Sequence, residues 1–334
     1  MSYVGANNLD DLMRKVFELL LDGKKRVVAT KGSSYEEFGV TLGLRNPRFR
    51  LSRAETRQIL VSCLGELLWY LSGRDDLEFI QYYLKRYDKS AEPDGTIHGA
   101  YGPRLFDSQG INQVEEIISL LKRKSSSRRA AIQIFEARDL LSDYNDIPCT
   151  CTMQFMVRQN RLNMIVFMRS NDAYRGLPHD IFAFTMLQEI IARSLEVELG
   201  TYKHSVGSLH LYDYDAEKAQ RYLDEGFQDA RPMPRMPDGD PWQAILKVQE
   251  LEEQIRVGKV NPIYPKDLPE FWSDLVRILN IYALGENGAE KREIIALKKA
   301  MSTDVYDSYA RKFERRAKIK PAQQELPLEN DNEW

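Results

Sequence analysis

Cys149 and Arg169 are the residues in this chain best placed for chemistry. Cys149 heads the run Cys149-Thr150-Cys151-Thr152-Met153-Gln154-Phe155, and Arg169 follows the run Leu162 to Met168. A thiol is a useful nucleophile near neutral pH only where a cation favours the thiolate. If the two runs pair as a hairpin about Gln159-Asn160-Arg161, Cys149 and Arg169 fall at the same end. Glu66 sits among apolar neighbours in Leu64-Gly65-Glu66-Leu67-Leu68-Trp69, with Cys63, Trp69 and Tyr70 at helical spacing. Either it lies on a solvated helix face, or it is a partly buried carboxyl with a raised pKa that can shuttle protons. His210 and Tyr212 share one face of a strand by period two, within reach of one sugar hydroxyl. The run Lys122 to Arg129 is a solvated basic loop or a nucleic-acid contact. No aromatics interleave in it for base stacking. Lys31-Gly32-Ser33-Ser34 is a solvated turn or a phosphate loop.

The elements that must carry these groups are legible from periodicity. Apolar spacing predicts helices over Leu9–Leu21, Leu77–Tyr87, Ile111–Lys122 and Pro178–Leu195. Ser52 to Ser72 reads as one long helix opened by a capping box of Ser52 and Glu55. Strands are predicted over Phe38–Leu44, Ala130–Phe135, the hairpin about residue 160, and Tyr202–Tyr212, with a basic, strand-like stretch at Lys24–Thr30. By strand alternation Cys151 shares the face of Cys149. Gly99 and Gly102 bracket Tyr101 in a tight turn. Asp213–Leu223 reads as helix and Gly226–Asp240 as loop. Trp242–Val257, Leu268–Leu284 and Ala289–Lys320 read as helices. Residues 321–334 read as a mobile acidic tail.

Composition bounds the rest. The chain has 334 residues, 43% hydrophobic and 29% charged, enough for one large core or two domains. A net charge of −3 gives no global pull toward nucleic acid or an anionic membrane. Three cysteines make no disulfide framework and fit a reducing cytoplasm. Four scattered histidines offer no zinc-type spacing. The first residues lack the pattern of a signal peptide, and no apolar run approaches membrane-spanning length.

Five pieces in order carry a family resemblance: Pro148-Cys149, Gln154-Phe155, Arg169-Ser170-Asn171-Asp172, Gly176-Leu177-Pro178-His179-Asp180 and His210-Leu211-Tyr212. Between Lys31 and Tyr212 the chain resembles the thymidylate synthase family. The resemblance implies an α+β fold of three layers, a mixed β-sheet packed by helices, over residues 1–230. Residues 231–320 would then be a helical extension packed on it. It implies a homodimer with shared active sites, a pyrimidine nucleoside monophosphate substrate, methylenetetrahydrofolate as co-substrate and no metal. Cys149 would be the nucleophile, set in register by Gln154 five residues on. Glu66 would be the proton shuttle, and Tyr101 would order water beside the base. Lys31, Arg169 and Ser170 would bind phosphate, joined by Arg128 and Arg129 from a second subunit. His210 and Tyr212 would hold the sugar. Asp172, Gly176 and Tyr87 would line the folate side.

Four departures from the family's pattern matter. Lys31 stands where an arginine is usual, Tyr87 where a shielding tryptophan is usual, and Thr150 where a histidine often follows the cysteine. Asp180 replaces an asparagine that reads uracil. Cytosine presents an N3 acceptor and an N4 amino donor, the reverse of uracil, and a carboxylate accepts from that amino group. The relatives with aspartate here are deoxycytidylate and cytidylate hydroxymethylases, although Asp180 is also a first-turn acid favoured by the helix dipole. The expectation is hydroxymethylation of dCMP, with CMP next because Ser170 resembles the deoxyribose-specific members. Methylation of dUMP is the alternative, and a non-catalytic nucleotide- or RNA-binding protein is the alternative of another class.

Overall fold

The computed structural model describes residues 2–23, 25–29, 32–258, 265 and 267–317. Lys31 and the acidic tail 321–334 lie outside the described residues. The chain opens with β1 (Ser2–Ala6), α1 (Leu9–Gly23), β2 (Arg26–Ala29) and β3 (Gly32–Leu44). Four helices follow: α2 (Leu60–Leu71), α3 (Leu77–Tyr83), α4 (Tyr101–Phe106) and α5 (Gln113–Arg123). Then come β4 (Ala131–Gln133), β5 (Thr150–Arg158), β6 (Arg161–Asp172), α6 (Leu177–Ser194) and β7 (Glu198–Tyr212). The rest is helical: α7 (Asp213–Asp224), α8 (Trp242–Arg256), α9 (Glu270–Glu286), α10 (Lys291–Lys299) and α11 (Asp307–Arg316).

Among the described residues, seven strands form one mixed sheet in the order β1-β3-β7-β6-β5-β4, with β2 paired to β3. β1/β3 and β6/β7 are parallel pairs, and the other pairs are antiparallel. This is the α+β architecture the resemblance implies. Every residue of α6 is buried. Its polar residues are paired within the core, Glu189 with Arg50 and Gln188 with the Leu162 carbonyl, and α6 lies between the strands β6 and β7 and the helix α2. α9 packs on α2 in turn, and α8, α10 and α11 pack on α9.

The β5–β6 hairpin closes as expected but one residue tighter. Gln159 and Asn160 both adopt left-handed backbone, at φ 50° and 55°, and Arg161 already pairs with Arg158. Two left-handed residues match the twist of the flanking strands. A bulge between Thr150 and Thr152 inserts Cys151 as the extra residue. It breaks the alternation that had put Cys151 on the face of Cys149. The parallel pairing of β6 with β7 sets Ser170 beside Ser208 and Asp172 beside His210.

Several predicted boundaries move, each for a tertiary reason. Ser52 does not cap a helix. Its hydroxyl donates to the buried Asp10 carboxylate at 2.6 Å, so only a single 3-10 turn (Glu55–Arg57) forms before α2 begins at Leu60. α3 stops at Tyr83, and a 3-10 turn over Lys85–Ser90 carries Arg86 and Tyr87. Tyr101 starts the short α4 rather than a turn. Gly99 and Gly102 are needed because a Cβ would stand 2.3 Å from Asp146 Oδ2 or 2.7 Å from the Arg74 carbonyl. The helix read over Ala289–Lys320 is broken into α10 and α11, because Asp274 of α9 takes the Ser302 hydroxyl and backbone N–H. The stretch 226–240 has no regular structure but is no free linker: Met233 and Met236 are fully buried. β1, not foreseen, pairs with β3.

The C-terminal helices brace α2 and α3. Tyr83 donates its hydroxyl proton to Glu252 of α8 at 2.7 Å, and Tyr282 of α9 donates to the Tyr82 carbonyl at 2.8 Å. The Tyr83 ring lies so close to Gly65 that a Cβ there would sit 2.2 Å from Cγ. Gly65→Ala should therefore destabilise the protein by about 1–3 kcal/mol through overpacking. Urea unfolding of the variant checks this, and an unchanged midpoint would show that the ring can give way.

Candidate active site

A cleft of about 850 Å³ opens where β5 begins, where β6 and β7 end, and where α6 starts, with α2 and the 3-10 turn after α3 as its wall. Of the residues singled out in the sequence, Glu66, Tyr87, Tyr101, Cys149, Arg169, Ser170, Asp172, Gly176, Asp180, His210 and Tyr212 line it. Three do not. Arg128 and Arg129 are exposed outside the cleft, and Gln154 donates its side-chain amide to the Arg128 carbonyl at 2.9 Å.

The thiol-bearing segment is held by the arginine across from it. Arg169 N–H donates to the Cys149 carbonyl at 2.9 Å, a β5–β6 contact. Its side chain donates from Nε to the Pro148 carbonyl at 3.1 Å and from a terminal nitrogen to the Ile147 carbonyl at 2.9 Å. The guanidinium so clamps the approach to Cys149 while its flank faces the cleft. Beside it, the Tyr101 hydroxyl accepts from Thr150 N–H at 3.2 Å and from Thr150 Oγ at 3.0 Å. Two accepted bonds leave the phenol proton for a third partner, and burial keeps that proton on by pushing the Tyr101 pKa well up. Cys151 is outside the cleft, its thiol pushed up by burial.

Glu66 is 4% exposed and faces the cleft from the helix wall. Burial raises its pKa, opposed by the nearby Arg86 charge and by hydrogen bonds from Tyr87 and Tyr70. The Tyr87 bond, hydroxyl to Oε1, is 2.7 Å. Such a carboxyl exchanges its proton at higher pH than a solvated one, as a proton shuttle must.

Asp180 lies in the first turn of α6, also buried. Burial, then repulsion by Glu66, pushes its pKa well up against the pull of Asn171 and Arg86. Asn171 Nδ2 donates to Asp180 Oδ2 at 2.7 Å. Asp172 spends Oδ1 on the backbone N–H groups of Tyr174 and Arg175, both at 2.9 Å. His210 Nδ1 lies 3.4 Å from Ser170 Oγ, with its ring against Tyr212.

The sequence reading passed over other residues of the cleft: Arg86, Asn171, Arg175, His179 and Tyr214. Asn171 and His179 lie inside the quoted motifs, and Arg86 is next to Tyr87, so adjacency was the available signal. Among the described residues no group of three or more His, Cys, Asp and Glu could hold a metal, and no helix is long and apolar enough to cross a membrane.

The Glu66 environment has a testable sign. Tyr87→Phe removes a bond that favours the carboxylate, so the Glu66 pKa should rise further, as followed by NMR of labelled glutamate carboxyls. Because the folded-state pKa lies above the unfolded one, Glu66 costs stability as pH rises through that interval. Glu66→Gln should raise the melting midpoint at pH 8 by roughly 2 °C and leave it unchanged at acid pH. An equal shift at both pH values would show that the gain is not electrostatic.

The thymidylate synthase family model matches residues 8–248, running from the start of α1 into α8. That match spans most of the chain and all of the cleft described above, so the chain belongs to the thymidylate synthase family.

Proposed function

We propose that this protein hydroxymethylates C5 of a cytosine nucleoside monophosphate, dCMP before CMP, with methylenetetrahydrofolate as co-substrate. The family as a whole performs folate-dependent one-carbon transfer to C5 of pyrimidine nucleotides. The single observation behind the narrower reading is Asp180, a buried carboxyl at the cleft where an amide would read uracil. Ionised, it accepts from the N4 amino group of cytosine. Protonated, it also donates to N3. Ionised, the carboxylate takes one bond from cytosine N4–H or from uracil N3–H, and a second only from cytosine protonated at N3, because uracil O4 has no proton to give; protonated, it makes two bonds with either base. That protonated state keeps dUMP methylation as the second reading, since burial raises the Asp180 pKa.

The roles follow from chemistry. Cys149 Sγ adds to C6, which makes C5 electron-rich. Glu66 takes up and returns protons near the base, its carboxyl tuned by Tyr87, Tyr70 and Arg86. Tyr101 offers its hydroxyl proton beside C5. Arg169 and Ser170 meet the phosphate, and His210 and Tyr212 the sugar. The aromatic side chains of Trp69, Tyr87 and Tyr214, with Asp172 and Gly176, suit a flat heteroaromatic ring carrying amide donors. Bound there, the folate supplies a one-carbon unit at the oxidation level of formaldehyde. A homodimer completes the phosphate site: Arg128 and Arg129 are exposed, and strands of the sheet carry the exposed Phe38 and Phe167.

Incubation with methylenetetrahydrofolate and dCMP, CMP or dUMP in turn, with products weighed by mass spectrometry, tests this. Hydroxymethyl-dCMP is the expected product, and Cys149→Ala should lose activity by about 10⁴-fold or more. Conversion of dUMP alone, to dTMP, would overturn the Asp180 reading. Inertness toward all three would support the non-catalytic binder instead.

A further inference from the structure

A buried row of polar groups stands behind Asp180, none of them given a role in the chemistry above. Asn171 Nδ2 donates to Asp180 Oδ2 at 2.7 Å. Asn171 Oδ1 lies 3.1 Å from His204 Nε2, and His204 Nδ1 lies 2.7 Å from the Tyr202 hydroxyl. Asn171, His204 and Tyr202 are 4%, 0% and 1% exposed. The His204 ring also stacks on Phe184, centroids 6.4 Å apart, which restrains its plane.

Each link has a direction. A carbonyl oxygen only accepts, so His204 Nε2 carries a proton toward Asn171. Burial drives the His204 pKa to about 3, so the ring is neutral and Nδ1 accepts from Tyr202. The row therefore runs from the Tyr202 hydroxyl to His204, from His204 to the Asn171 carbonyl, and from the Asn171 amide to Asp180. Space for the last link is kept by Gly176, where a Cβ would stand 3.0 Å from Asn171 Nδ2 and 3.5 Å from Asp180 Oδ2.

We propose that His204 and Tyr202 are positioning residues that set base specificity: through Asn171 they commit Asp180 Oδ2 as an acceptor and leave Oδ1 to carry any proton to the pyrimidine edge. This rests on Asp180 being the group that reads the base. Cytosine and uracil exchange donor and acceptor between N3 and the exocyclic position. A carboxyl able to protonate either oxygen matches both edges, whereas one with a committed oxygen matches one. Buried donor and acceptor mismatches discriminate strongly, so the row converts an ambiguous carboxyl into a selective one. An amide free to rotate would restore the ambiguity.

The test compares His204→Phe, His204→Gln and Tyr202→Phe with the wild type. It measures kcat/KM and dissociation constants for dCMP and dUMP, with thermal unfolding alongside. His204→Phe is expected to bring the ratio of the two nucleotides about tenfold or more toward one, and Tyr202→Phe to move it in the same direction by less. His204→Gln keeps a donor for Asn171 and an acceptor for Tyr202, so it should recover much of the ratio. Folded variants that keep the wild-type ratio, or lose both nucleotides equally, overturn the proposal. Where His204→Phe does not fold, the ratio of Tyr202→Phe decides. A wild type that prefers dUMP refutes the cytosine reading while leaving the row testable by the same ratio. One that does not discriminate at all refutes both.

Discussion

Two carboxyl groups buried in one cleft set the terms for the rest of this structure. Glu66 and Asp180 are both buried at the cleft, the charge of Glu66 raises the cost of ionising Asp180, and among the described residues neither is in an ion pair. Burying a charge without a partner is expensive, so such groups shift their pKa and draw hydrogen-bond donors instead. The donors are present: the Tyr87 hydroxyl on Glu66 and the Asn171 amide on Asp180. Arg86 supplies a nearby positive charge that eases both without neutralising either. The dipole of α6 favours negative charge at Asp180, in its first turn.

Holding two such groups in place requires a stiff frame. α6 is buried on every side, so Asp180 stands on an element packed on all its faces. Glu66 stands on α2, every residue of which except Ser62 is buried. The bracing of α2 comes from far along the chain: Tyr83 fills the space over Gly65 and is tied to Glu252, itself paired with Arg256. The C-terminal helices, reaching beyond the family match, thus bear on the wall that carries Glu66. On the opposite wall, backbone pairing of β5 with β6 and the Arg169 side chain fix Cys149. The Cys149 thiol and the buried carboxyls are therefore mounted on different layers, and the cleft lies between them.

Under the proposed reading of Asp180, a carboxyl can serve where an amide would seem equivalent. An asparagine amide has its donor and acceptor fixed by chemistry, whereas a carboxyl has them fixed by its surroundings. The surroundings of Asp180 are a row of neutral polar groups drawn from β6 and β7, shielded from solvent. Neutral groups are the ones that can direct hydrogen bonds there without adding a further buried charge.

Local patterns in the chain were enough for the β5–β6 hairpin, the start of α6 within one residue of Pro178, and the shared face of His210 and Tyr212. Each depends on neighbours within a few residues, where periodicity and turn chemistry act directly. Motif order was enough for the family and for eleven residues of the cleft. Long-range contacts decided the rest. Ser52 looked like a helix cap because its neighbours fit one, but Asp10, distant in sequence, claims its hydroxyl. Cys151 looked equivalent to Cys149 until a bulge, required by pairing with β6, took it off that face. Within the Tyr202–His204–Asn171 row only Asn171 fell in a motif, and the link among the three had no signature, since it depends on what the packed core places side by side. Short-range order is written in the chain itself, whereas the partner that satisfies a buried polar group is chosen only when distant segments close over it.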